Sequence, residues 1–221
     1  MMRRLGLLPA VAVLVWCSTA HAQSSVDVNI GFGSASDSAS GAGLDNASSV
    51  NAFGGCNPRS GDPFCQATPS LSPFFLGFGG DIMLFKKLGA GFEANITPTR
   101  HDYGPLQYRE LFYDVNGIYA PISNKRVQLR FEGGLGGART SFAFTQNQCI
   151  GTAVCSNITQ PVGNASHFQV HVGVGVSIFV TEHIFIRPQF DFHYVPGFTD
   201  QFSSNAVPAG TVWVGYNFGE R

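Results

Sequence analysis

The sequence predicts an all-β fold: an eight-stranded antiparallel up-and-down transmembrane β-barrel. Three observations carry that reading. Long stretches alternate apolar with polar or glycine residues, the connections between them alternate in length, and charged residues make up only 12% of the chain, about half the usual ~25%.

Residues 167–180, HFQVHVGVGVSIFV, show the alternation most clearly. Phe168, Val170, Val172, Val174, Val176, Ile178 and Val180 form one set; His167, Gln169, His171, Gly173, Gly175, Ser177 and Phe179 form the other. A period of two is an extended strand with two unlike faces. The same reading places strands at about 25–33, 72–85, 89–100, 108–120, 126–143, 166–180, 184–195 and 208–218. Most reach the ~9–11 residues that a bilayer-crossing strand needs, above the ~5–6 of ordinary soluble strands.

The connections fall at 34–71 (long), 86–88 (short), 101–107 (medium), PISNK (short), 144–165 (long), 181–183 (short) and 196–207 (medium). Strict alternation in an up-and-down barrel gathers the longer loops at one end. The apolar face carries aromatics towards both ends: Phe32, Phe74, Phe168 and Tyr194 near the long loops, Tyr119, Tyr216 and Phe218 near the short ones. Such pairs of aromatic belts mark the two membrane interfaces. A soluble barrel would put the apolar set inside and a Lys- and Glu-rich set in water, but the strand interiors hold no lysine. The valine face is therefore read as lipid-facing. One segment breaks parity: Phe142 and Phe144 do not follow the outward odd residues of their strand. Either a bulge among Gly133, Gly134, Gly136 and Gly137 resets the register, or the strand end rises above the bilayer.

Residues 1–22 read as a cleaved secretory leader: Arg3 and Arg4, an apolar run from Leu5 to Trp16, then Ala20-His21-Ala22. A lipoprotein signal at Cys17 is disfavoured by Val15 and Trp16 before it. The barrel domain is then 23–221. Two of the 13 basic residues leave with the leader, so 11 face 14 acidic ones, which is no footprint for nucleic acid. Cys56, Cys65, Cys149 and Cys155 remain, in two close pairs within expected loops. Export favours local disulfides, with the other pairings open; the spacings do not suit a zinc site.

On the inward face the sequence places a charge network of Asp81, Glu93, Glu110, Asp114, Arg130, Glu132, His171, Arg187, Asp191 and His193. Buried charges persist when paired and hydrogen-bonded, and eight strands enclose an interior that side chains roughly fill. The expectation is a structural plug; its rival is a narrow gated water path through the same groups. His167, His171, Asp191 and His193 are read as hydrogen-bonded interior groups rather than ligands, so no catalytic, cofactor or metal site is expected. No Gly-x-Ser-x-Gly elbow or phosphate-binding loop occurs.

Taken whole, residues 23–221 resemble the small eight-stranded outer-membrane barrel proteins, the OmpA/OmpX-like group. The final strand, GTVWVGYNF, resembles their assembly signal, with Val214, Tyr216 and Phe218 alternating to a closing aromatic; here Gly219-Glu220-Arg221 follow it. The resemblance implies a bacterial outer-membrane location and both termini in the periplasm. It also implies contact with outer-membrane lipid and lipopolysaccharide, and with the barrel-assembly machinery during biogenesis. The expected role is structural or interactive, with long loops displayed to a surface or ligand by a monomer and no nucleic-acid partner. The alternatives are a narrow porin-like channel and a lipid-modifying enzyme. Of the enzyme patterns in related barrels, His-x-Ser is absent, and His101-Asp102 is read as a solvated turn.

Overall fold

A computed structural model describes residues 25–37, 71, 74–103, 106–150, 154–202 and 204–219. The expected leader, Cys56 and Cys65, and loop residues 38–70 lie outside the described residues.

The alternating stretches form strands β1 (Ser25–Ala35), β2 (Phe75–Met83), β3 (Leu88–Ile96), β4 (His101–Tyr103), β5 (Leu106–Ser123), β6 (Val127–Ile150), β7 (Val154–Phe179), β8 (Ile184–Tyr194) and β9 (Ala206–Asn217). Neighbours in sequence other than β3 and β4 pair antiparallel, β9 returns to β1, and β3 pairs with β5. The sheet thus closes on itself as a ring of eight, with β4 extending the β3 side of the seam along β5. Closure removes the unpaired edges that lipid cannot hydrogen-bond. Four residues, 97–100, interrupt β3 and β4 opposite Glu110 and Arg109. Thr97 pins this break: its N–H donates to the Glu110 carbonyl (3.1 Å) and its Oγ1 accepts from the Glu110 N–H (3.0 Å). Pro98 lies inside the break, where its missing N–H costs no ladder bond.

The two faces separate as the period requires. β8 alternates exposed and buried at every one of its 11 positions. Val28, Val172 and Phe190 are 53–56% exposed, while Gln169, Arg187 and Asn217 are fully buried. Exposed apolar side chains surround the ring, far beyond the few hundred Å² that a water-facing monomer shows. All seven belt aromatics point outward, and Phe85 joins the short-turn belt at 62% exposure. The 11 residues of β8 run from one belt to the other. At about 3.3 Å per residue, with strands tilted about 40°, that is ~25 Å along the membrane normal, the height of a bilayer-facing apolar band.

Inward glycines make room for large inward side chains. A Cβ on Gly31 or Gly77 would stand 2.6 Å from the Trp213 ring, and one on Gly215 would enter the Phe185 ring. A narrow barrel cannot carry large side chains at every inward position.

Four expectations change. Residues 144–150 and 154–165 are a paired extension of β6 and β7 rather than an open loop: pairing continues through Phe144↔Gln160 to Ile150↔Val154. Within the expected 101–107 loop, residues 101–103 pair with 106–108, His101↔Tyr108 to Tyr103↔Leu106. The glycine run of β6 contains no bulge, since both of its ladders pass through Gly133–Gly137 without a shift; the irregularities lie at Phe142/Ala143 and, on β5 opposite Phe131 and Leu129, between Tyr119 and Ile122. Phe142 therefore points inward, 1% exposed, because it packs in the barrel mouth. Finally, within the expected 196–207 loop, residues 197–202 turn inward. Gly197, at φ 80°, leads into a 3₁₀ turn at Phe198–Asp200. This drops Phe198 and Phe202 among Phe75, Tyr108, Phe112 and Phe142, all buried. Glycine takes that backbone conformation without a Cβ penalty.

Candidate functional site: the lumen

The lumen is filled in layers. Below the aromatic cluster lies the charged layer, positioned by inward residues of six strands. Asp81 of β2 is its hub. Arg130 of β6 donates to both Asp81 oxygens (2.6 and 3.2 Å) and to Glu132 Oε2 (2.5 Å). Arg187 of β8 donates to Asp81 Oδ2 (3.0 Å) and Glu93 Oε1 (3.1 Å). Its guanidinium stands 5.5 Å from the Trp213 ring centre and 5.8 Å from that of Phe185, near enough for cation–π attraction. Both arginines and all their carboxylate partners are at least 95% buried.

A second group adjoins the first. His171 reaches Asp191 Oδ1 through Nε2 (3.1 Å) and Asn116 Oδ1 through Nδ1 (3.0 Å), with Asp114 Oδ1 at 3.4 Å from the same nitrogen. His193 pairs across from His171 and stacks on it, 4.6 Å between ring centres and 13° between planes. Thr211 donates to Asp191 Oδ2 (2.9 Å). Gln189 joins the groups: its Nε2 lies 2.5 Å from Glu132 Oε1, 2.9 Å from Asp191 Oδ1 and 3.1 Å from Glu93 Oε2.

Nine of the ten expected network residues thus come together. Glu110 does not join them. It is inward and 1% exposed, but both carboxylate oxygens lack a hydrogen-bond partner among the described residues. It lies nearer the mouth, two inward positions beyond Asp114. His167 is also apart: its Nε2 is 2.6 Å from Gln201 Oε1, beside the inward turn.

The neutral residues that complete the layer, Asn116, Gln169, Gln189 and Thr211, have inward parity in the sequence. Their role as links is not visible there, because it depends on which strand lies opposite. Trp213 carried one usable signal: it stands between Thr211 and Gly215 on the inward face.

The cysteine backbones are informative at the hairpin tip, where Cys149 pairs directly with Cys155. Val214 and Tyr216 face outward at 45% and 42% exposure, and Phe218 follows at 64%. The Tyr216 ring lies between His183 (5.3 Å) and Phe218 (4.8 Å).

No family model matches the chain, and no curated protein does. Among solved structures, a major outer membrane protein from Thermus thermophilus aligns over 88% of this chain and 99% of its own, with TM-score 0.52 and 10% identity. Ail, the attachment invasion locus protein of Yersinia pestis, aligns over 89% of this chain and 99% of its own (TM-score 0.48, 12% identity). OprG of Pseudomonas aeruginosa aligns over 89% and 96% (TM-score 0.43, 16% identity). At 10% identity the likeness to the Thermus thermophilus protein is one of fold alone.

Proposed function

We propose that this chain is an integral outer-membrane barrel whose work is done by its surface. It braces the membrane and displays the β6–β7 hairpin and the 34–71 segment to an external surface or ligand. It does so as a monomer in lipid and lipopolysaccharide, after export and insertion by the barrel-assembly machinery. The observation that carries this reading is the doubly occupied lumen. A cross-linked layer of buried charges and, above it, a buried aromatic cluster fill the bore. With the interior given to side chains, the parts left to meet a partner are outside. The β6 and β7 strands, 24 and 26 residues long, exceed the ~9–11 needed to cross, so their hairpin projects well beyond the membrane.

Planar-bilayer recording of the refolded protein tests the closed lumen. The expected result is no defined unitary openings; regular openings would support a channel instead. A hairpin deletion that joins Phe144 to Gln160 tests the display role. Cells carrying it should keep the folded barrel but lose binding to whichever surface the intact protein recognises. Lipid A of unchanged mass with and without the protein is expected too, and a changed mass would point to an enzyme.

A further inference from the structure

We propose that the lumen contains a binding site for one divalent metal ion of the zinc class, formed by Glu132, His171 and Asp191. The three come from β6, β7 and β8, and each offers one ligand atom such that all lie within 4.8 Å of one another. Ligand atoms around an ion at the ~2.0–2.2 Å typical of nitrogen and carboxylate ligands stand no more than ~4.4 Å apart, so a small inward shift of the three side chains closes the set on an ion. A mixed imidazole–carboxylate set suits zinc and its neighbours better than calcium, which takes oxygen alone.

Four further features point the same way. First, His171 is already oriented as a ligand: Nδ1 faces Asn116 and Asp114, which leaves Nε2 on the Asp191 side. Ligating histidines commonly hold their second nitrogen in this manner. Second, Gly173 lies directly beneath the converging groups. A Cβ there would stand 2.5 Å from Asp191 Oδ1 and 2.9 Å from Glu132 Oε1. The site therefore exists only because that position has no side chain.

Third, the local donors do not suffice. Gln189 Nε2 faces four carboxylate oxygens of Glu93, Glu132 and Asp191 with two N–H groups. Its own Oε1 is buried without a partner among the described residues. Turning the amide about its last bond brings Oε1 to the carboxylate side, where a metal ion gives it a role as fourth ligand. Fourth, the connected layer has five carboxylates, Asp81, Glu93, Asp114, Glu132 and Asp191, against Arg130 and Arg187. A divalent cation held among these side chains offsets part of that excess of acidic over basic groups.

The sequence did not suggest this site because Glu132, His171 and Asp191 meet only through cross-strand register. The inference is independent of the display role, so either can fail without the other. The test uses the full barrel refolded in detergent, stripped with chelator and titrated with Zn²⁺ alone, folding being checked by heat-modifiable gel mobility. The expected result is one Zn²⁺ per folded chain. Gly173→Ala and Asp191→Asn should each lower affinity at least tenfold, while His101→Ala and His183→Ala leave it unchanged. Stoichiometry no greater than that of the unfolded chain overturns the proposal, as does unchanged affinity in both Gly173→Ala and Asp191→Asn. If those variants do not fold, Co²⁺ added to the wild type decides. Visible bands of imidazole–carboxylate coordination, competed away by Zn²⁺, support the site, and their absence removes it.

Discussion

Arg187 shows what one residue does in this lumen. It is fully buried, donates to two carboxylates, and lies over two aromatic rings. Replacing it with Met keeps much of the volume but leaves Glu93 with Gln189 as its remaining described side-chain donor. Removing one partner of a buried ion pair costs about 3–5 kcal/mol. Arg187→Met should therefore lower the unfolding free energy of the barrel, measured by urea titration in lipid vesicles, by an amount of that size. A second test at this scale concerns space. Gly31→Val would drive a side chain into Trp213, whose ring lies 2.6 Å from a Cβ at that position. Overpacking of this kind costs about 1–3 kcal/mol, and Trp213 fluorescence should report a shifted ring in the same variant.

At the scale of elements, the strands and their faces were legible because period-two alternation is local. The apolar set from Phe168 to Val180 needed no knowledge of neighbours to be assigned outward. Strand ends were less legible, since pairing rather than hydrophobicity continues β6 and β7 past Phe144. No side-chain pattern marks Thr145↔Thr159 as a paired rung. The inward turn at Phe198–Asp200 was hidden for another reason. Its two phenylalanines lie in a polar segment, and only the aromatic ceiling formed by other strands gives them a place to pack. Phe142 belongs to that ceiling, so its parity was a true inward signal without a visible partner. Phe198→Ala removes a fully buried ring from the cluster and should cost about 3–5 kcal/mol in the same unfolding measurement. The hairpin tip offers a separate test. Cys149 and Cys155 occupy one rung of the ladder, and directly paired strand residues are within disulfide reach. Mass spectrometry of unreduced protein should find them in one linked peptide; a free thiol at each would refute the local pairing.

The whole molecule is a barrel turned outward: polar groups fill its interior and apolar groups cover it. That inversion holds only if hydrocarbon surrounds the ring, and the depth dependence of a charge on its outer face tests it directly. β7 provides the series. Phe168 lies in the belt nearest the long loops, Val174 is halfway, and Val180 lies just past the other end of the strand; their exposures are 54%, 36% and 64%. An arginine at the bilayer midplane costs about 2–4 kcal/mol, and one near an interface about 0–1. Val174→Arg should thus destabilise the folded barrel by several times as much as Phe168→Arg or Val180→Arg, measured by reversible unfolding in vesicles. In water the order would differ, because an arginine at Val174 would stay hydrated and its position along the strand would matter little. A flat profile across the three sites would mean that the apolar face does not meet lipid. A peak at Val174 would place the membrane midplane there, with His171, Asp191 and the arginine layer close to the same depth on the other side of the wall.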